Sequence, residues 1–143
     1  VLEKVFKDND WSDTDVIYGD VIIKYSKKEK LKKVWPLTQL EKGMPFCHQS
    51  SFVRTTLQKQ FLFNTNYKIC ADYDFFYTLY KKKFYFKYTN ILIAKFLNGG
   101  VSTDAIFNLL VENWQIGKKN YKVYFIYLLL KVYLVGKCRR IFS

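Results

Sequence analysis

The sequence predicts an α/β domain, a sheet with flanking helices followed by a carboxy-terminal helical segment. A length of 143 residues suits one domain, and half the residues are hydrophobic and a fifth aromatic, which is a core-forming composition. Runs rich in β-branched residues, above all the stretch from Val16 to Tyr25, are typical of strands. Three-and-four spacing of apolar residues between Asp72 and Lys82 is typical of a helix.

In the first third of the chain, the apolar residues of segment 1–6 are spaced for one helix face, and Asp8-Asn9-Asp10 predicts the loop that ends it. Val16 to Tyr25 predicts a strand or a bulged strand pair, with Gly19 at the bulge or at a close backbone approach. Segment 26–33 is a lysine-dominated hairpin or loop, and its simplest interpretation is a solvated turn.

Local signals continue through the middle of the chain. They predict a short helix at 38–42 ended by a glycine, a short buried strand at 46–53, a helix including 55–60, a loop at 61–66, and the helix at 72–82. The segment from Phe84 to Phe96 predicts two short strands about a turn at Thr89-Asn90. Ser102 is a good N-cap for a helix through about Gly117, with Asp104 in its first turn.

The most unusual chemistry lies in segments 44–52 and 69–76. Asp72 and Asp74 are carboxylates in an otherwise aromatic and aliphatic stretch, and His48 is the only histidine. One interpretation is structural: Asp72 caps the helix by accepting first-turn amides, and His48 is a hydrogen-bonded core residue. The other is that one carboxylate is a general base. The residues alone leave both open, because desolvation and the helix amides move a carboxylate pKa in opposite directions.

Other candidate sites are weaker. The Asp-x-Asp pairs at 8/10 and 13/15 follow no hydrophobic strand and are interpreted as a solvated loop rather than a metal site. Ser50 and Ser51 lack a nucleophile elbow, and the histidine is too close in sequence for a triad, which sets a serine hydrolase aside. Three cysteines, at 47, 70 and 138, fit neither a zinc site nor a disulfide framework and favour a reducing cytoplasm.

Charge is distributed unevenly. Six of the 12 acidic residues fall in the first twenty positions, so the remainder holds six acidic against 22 basic residues, nearly all lysine. Lysine suits diffuse attraction to an anionic membrane at least as well as nucleic-acid recognition. Segment 119–143 is apolar with a basic end, but it is interrupted by Lys131 and too short to span a bilayer. We expect it to contact a membrane surface or a partner, with packing on the domain's own core as the alternative.

Four blocks, taken in order, resemble the later half of a bacterial family-2 glycosyltransferase of the GT-A fold: 15–21, 44–54, 63–75 and 96–102. The resemblance covers most of the chain and implies a partial GT-A-like mixed sheet. It implies that Asp72 is the catalytic base that deprotonates an acceptor hydroxyl, and that His48, Gln49, Asp74, Gly99 and Gly100 lie at the cleft between donor and acceptor. It further implies that the nucleotide-binding half, with its metal-binding Asp-x-Asp, precedes Val1.

The predicted organisation is therefore an acceptor-side half at 1–118 and a helix at 119–143. The predicted activity is inverting transfer from a nucleotide sugar to a hydroxyl of a glycan or lipid-linked acceptor in polysaccharide biosynthesis. This chain is expected to be inactive by itself, to be cytoplasmic and peripheral at the inner membrane, to homo-oligomerise as one possibility, and to bind no nucleic acid. The resemblance implies Mg²⁺ or Mn²⁺ for the full-length enzyme, with no metal ligands in this chain. The alternative is a non-catalytic basic module for anionic membrane or nucleic acid.

Overall fold

Strand β1 (Val16–Lys24) is the centre of the fold, because every other strand pairs with it. The computed structural model describes residues 1–7, 11–98 and 106–117, together with Ile126 and Leu130. In that part of the chain, four strands form one mixed sheet with helices packed against it, which confirms the predicted α/β fold. The first six residues of β1 are buried, as expected for a strand with neighbours along both edges and a covered face.

The other strands are β2 (Glu29–Lys32), β3 (Ser51–Val53) and β4 (Phe86–Leu97). Strands β2 and β3 are antiparallel to β1 and pair with its second and first parts respectively. Strand β4 is parallel to β1 along its whole length. Since β4 occupies one edge of β1 throughout, β2 and β3 must lie end to end along the other. The predicted hairpin of segment 26–33 is confirmed by the β1–β2 pairing.

The prediction of two short strands between Phe84 and Phe96 was wrong. The segment is one strand of 12 residues, β4. Asn90 has a φ of 51°, but it sits within the strand near two register shifts instead of reversing the chain. Asn tolerates this left-handed conformation, so the residue that signals a turn forms part of a bulge here.

Gly19 lies where β1 and β4 approach most closely. A Cβ added there would lie 2.5 Å from the carbonyl oxygen of Ile91 and 2.7 Å from a side-chain carbon of Ile93. The pairing of β1 with β4 also shifts register between Tyr18 and Asp20. Both the bulge and the close backbone approach predicted at this glycine are therefore confirmed.

The helices are α1 (Leu2–Phe6), α2 (Thr55–Gln60), α3 (Ala71–Lys81) and α4 (Ile106–Ile116), with 3-10 turns at Leu37–Glu41 and His48–Ser50. These bounds confirm the helices predicted at 55–60 and 72–82 and the short helix near 38–42. The strand predicted at 46–53 is shorter than expected, because its first part forms the second 3-10 turn and only β3 joins the sheet.

Helix α3 provides five of the twelve side chains in the main buried cluster of the described residues. Its buried side chains are Tyr73, Phe75, Phe76, Tyr77 and Leu79. Phe46 connects this helix to the central strand, since its ring stacks on Tyr18 at 4.6 Å and meets Phe76 edge to face at 5.1 Å. Each such pair contributes about 0.5–1.5 kcal/mol beyond the burial of its area. The packing fixes the position of α3 relative to β1.

Some predictions lie outside the described residues. They are the loop at 8–10, the glycines at 99 and 100, the N-cap at 102 with its acidic neighbour at 104, and the segment 119–143 apart from Ile126 and Leu130. Among the described residues, no helix has both the length and the apolar character that crossing a bilayer requires.

Candidate functional site

The structure brings together the two segments that carry the unusual polar residues. Nδ1 of His48 lies 2.7 Å from Oδ2 of Asp72, a short charge-assisted hydrogen-bond distance. The two side chains remain partly accessible, with 54% of His48 and 27% of Asp72 exposed. A histidine and a carboxylate 24 positions apart in sequence therefore form one solvent-accessible pair.

His48 is positioned by the serines that follow it. Ser50 is fully buried, and its hydroxyl oxygen lies 2.7 Å from the Gly19 carbonyl and 2.9 Å from the Cys47 carbonyl. Because the hydroxyl has a single proton, these two carbonyls share it. Ser51 donates to the His48 carbonyl at 2.6 Å. The serines thus have structural contacts that fix the 3-10 turn against β1, consistent with setting a serine nucleophile aside.

Asp72 is positioned by the start of α3. The helix begins at Ala71, so its N-cap is Cys70 and not Asp72, which the structural interpretation of the sequence had made the cap. Asp72 still accepts one first-turn amide, because Oδ1 receives the N–H of Tyr73 at 2.8 Å. With Oδ1 on the helix and Oδ2 on His48, the carboxylate is held in a defined orientation.

Sequence analysis missed the residue that holds the beginning of α3. Glu112, on α4, accepts the backbone N–H groups of Lys68, Ile69 and Cys70 at 3.0, 3.0 and 2.8 Å. A lone glutamate in the apolar run of α4 was the available signal. Its partners lie more than 40 residues away, so no local capping pattern could identify them.

The electrostatics of the site centre on His48. Its hydrogen bond with Asp72 raises the pKa of His48 above 6.5, outweighing the lowering by partial burial. Burial also raises the pKa of the neighbouring Cys47 thiol; the charge of Lys32 acts to lower this pKa and the charge of Asp72 acts to raise it. At any given pH near the pKa of His48, a larger fraction of His48 is therefore protonated than of a free histidine.

Cys70 is not a reactive thiol, although cysteines at helix N-termini often are. Burial, with the nearby charge of Glu112, raises the pKa of Cys70 to about 12. The thiol therefore stays protonated. Cys47 and Cys70 are both unpaired by disulfide.

The remaining predicted cleft residues differ in position. Gln49 is exposed beside His48 and accepts a hydrogen bond from the Cys47 thiol at 3.6 Å. Asp74 lies two residues beyond Asp72, about 200° around the helix axis, and its charge acts on Tyr67. Asp74 thus faces the loop before α3 rather than the His48 side. Gly99 and Gly100 are outside the described residues.

A metal site does not form among the described residues, where no group of three or more His, Cys, Asp or Glu side chains could hold an ion. Of the Asp13 and Asp15 pair, Asp15 has structural contacts, since it accepts the Tyr85 N–H at 2.8 Å and lies 3.5 Å from the Arg54 guanidinium. The described residues therefore do not form a binding site for the divalent metal that the resemblance implies for the full-length enzyme.

A separate cavity of about 450 Å³ opens at the beginning of β1 and β4. It is lined by Ser12, Asp13, Thr14, Tyr85 and Lys87. None of these residues belongs to the predicted site, and the cavity lies toward the end of the sheet where β3 pairs with β1.

Comparisons with protein-family models, with curated proteins and with solved structures find no match to this chain.

Proposed function

We propose that this chain is the acceptor-side half of an inverting, nucleotide-sugar-dependent glycosyltransferase, with Asp72 as its general base. The observation that carries the proposal is the contact between Asp72 and His48. Two segments that resemble separate family-2 blocks meet there in one accessible site. A purely structural role for Asp72 would require only its hydrogen bond to the helix amide.

In the proposed reaction, an acceptor hydroxyl oxygen attacks the anomeric carbon of the donor in line. The bond from that carbon to the nucleotide diphosphate oxygen breaks, and the diphosphate leaves with the bonding electrons. The hydroxyl proton passes to the carboxylate of Asp72 as the new bond forms. His48 is a positioning residue, because its hydrogen bond holds Oδ2 of that carboxylate.

This arrangement predicts a direction for the pH dependence. A protonated His48 places a positive charge 2.7 Å from Oδ2 of Asp72, and this charge opposes the arrival of the acceptor's hydroxyl proton at the site. Transfer should therefore rise with pH through the pKa of His48, which the Asp72 hydrogen bond places above its ordinary value.

The test compares Asp72→Asn with Asp74→Asn in a protein that carries both this chain and a donor-binding half, using a panel of nucleotide sugars. Asp74 is a matched control, since it is an acidic residue in the same helical turn with a different orientation. We expect Asp72→Asn to keep its fold and donor affinity but lose transfer by roughly 100-fold or more, as for removal of a general base. Asp74→Asn should change transfer far less.

Three outcomes contradict the proposal. Unchanged transfer by Asp72→Asn would leave Asp72 with a structural role only. Loss of transfer by Asp74→Asn alone would move the base to the other carboxylate. Absence of transfer from every donor by the unsubstituted protein would remove the glycosyltransferase proposal altogether.

The alternative function, a basic module that binds an anionic surface without catalysis, is favoured by one observation. Six lysines lie between positions 24 and 33, in and beside the hairpin formed by β1 and β2. Binding of an anionic surface through these lysines would not require Asp72 to be catalytic.

A further inference from the structure

The hairpin of residues 24–35, here called the lysine hairpin, projects from the edge of the sheet. All four residues of β2 are exposed, so neither of its faces is covered by another described element. The segment contains six lysines and one glutamate. That glutamate, Glu29, already pairs with Lys95 at 2.5 Å. The hairpin therefore presents a strongly positive surface.

The hairpin is firmly attached at its base. The return strand is fixed where the Val34 N–H donates to Oδ1 of the buried Asp20 at 3.1 Å. The other oxygen of that carboxylate accepts the Tyr88 hydroxyl of β4 at 3.0 Å. Four residue pairs join β2 to β1. The lysines therefore project from a fixed support instead of from a free loop.

Large apolar side chains accompany the lysines. Leu31 is 50% exposed and Trp35 is 61% exposed. The backbone N–H of Trp35 donates to the Pro45 carbonyl at 2.9 Å, but the residue stays largely exposed. Exposed tryptophan and leucine beside lysines is the combination found where proteins enter the headgroup region of a bilayer.

We propose that the lysine hairpin docks onto an anionic phospholipid surface, with its lysines at the headgroups and Leu31 and Trp35 entering the interface. Charge complementarity identifies the partner, because polybasic segments bind anionic leaflets. Lipid is favoured over nucleic acid because Lys27, Lys28 and Lys30 are compact point charges that lack the planar fork of arginine, and because Leu31 gains nothing from a phosphate backbone.

The docking surface borders the candidate site. The Trp35 N–H at the end of the hairpin donates to the carbonyl of Pro45 at 2.9 Å, and Pro45 is three residues before His48. The base of the hairpin is therefore attached to the segment that carries His48. Membrane binding itself does not depend on the proposed catalytic activity.

The test measures partitioning of the 143-residue chain onto vesicles of phosphatidylcholine, with and without phosphatidylglycerol, by cosedimentation. The variant is K27Q/K28Q/K30Q, which removes three exposed charges and leaves Asp20 and the sheet pairs intact. Each lysine at an anionic surface contributes roughly a fivefold change in partitioning, so the triple variant should bind roughly 100-fold more weakly. Trp35→Ser should cause a further loss.

Two control variants distinguish vesicle binding by the hairpin lysines from vesicle binding due to the net charge of the chain. K59Q/K68Q/K81Q removes the same number of exposed lysines from elsewhere and should retain nearly full binding. K27R/K28R/K30R keeps the charge and should bind like the unsubstituted chain. Circular dichroism and urea unfolding confirm that the variants fold.

The proposal is overturned if the two glutamine variants lose binding equally, which would indicate net charge alone. It is also overturned if K27Q/K28Q/K30Q binds normally, which would assign any binding to another segment. A third contrary result is that a labelled single-stranded oligonucleotide binds through these lysines while anionic vesicles do not, which would make the hairpin a nucleic-acid surface.

Discussion

Glu112 should stabilise the fold more than any exposed acidic residue, because one side chain satisfies three backbone N–H groups at the start of α3. The bond to Lys68 is exposed, so water replaces it at little cost. The bonds to Ile69 and Cys70 are partly buried, and each contributes about 1–1.5 kcal/mol. Glu112→Ala should therefore lower the free energy of unfolding by about 2–3 kcal/mol.

The assay is urea unfolding of the 143-residue chain, with Glu3→Ala as the control. Glu3 pairs with Lys7 at 3.1 Å on the surface, and its loss should cost about 0.5 kcal/mol or less. Burial alone would raise the pKa of Glu112, but the three N–H bonds outweigh burial and lower it. The Glu112 contribution is thus present above the unfolded-state pKa and is lost as pH falls through the folded-state pKa. Equal effects of the two substitutions, or a Glu112→Ala effect independent of pH, would refute this reasoning.

Three further predictions follow from other contacts. Gly19→Ala should destabilise the chain by about 1–3 kcal/mol in urea unfolding, because its methyl group has no space beside β4; an unchanged midpoint would contradict the close approach. Tyr73→Phe should lower the free energy of unfolding by about 1–2 kcal/mol, since the Tyr73 hydroxyl donates a buried hydrogen bond to the Leu40 carbonyl at 2.7 Å. An unchanged free energy of unfolding would mean that water reaches that carbonyl. The single histidine allows a direct NMR titration, in which Asp72→Asn should lower the pKa of His48. The stability that this pair contributes is present below the pKa of His48 in the unfolded state, and it is lost as pH rises through the pKa of His48 in the folded state.

Local patterns in the sequence were sufficient for the elements whose hydrogen bonds are local. Helix α2 has the predicted bounds and α3 begins one residue earlier than expected. Gly19 was identified correctly because only a glycine permits such backbone proximity within an apolar strand. His48 and Asp72 each stand out in the sequence, since a polar group in an apolar segment needs a partner.

Local patterns failed where distant residues decide the structure. Thr89-Asn90 is a turn signal, but pairing with β1 supplies hydrogen bonds that keep the chain extended on either side of it. Glu112 gave no capping pattern because its three partners come from a loop far away in sequence. The 2.7 Å contact of His48 with Asp72 likewise depends on how β1 and α3 pack. Sequence therefore identified the polar residues of the site, but not which of them meet or what orients them.

The parallel pairing of β1 with β4 also has a consequence for how the chain folds. Val16 pairs with Phe86, 70 positions later, so completing this edge of the central strand requires a long loop to close. Contacts this distant in sequence slow folding, since the entropy of closing the loop is lost before the contacts form. Until then the apolar edge of β1 is open to pairing with other chains. During refolding, the yield of monomer should therefore fall as protein concentration rises.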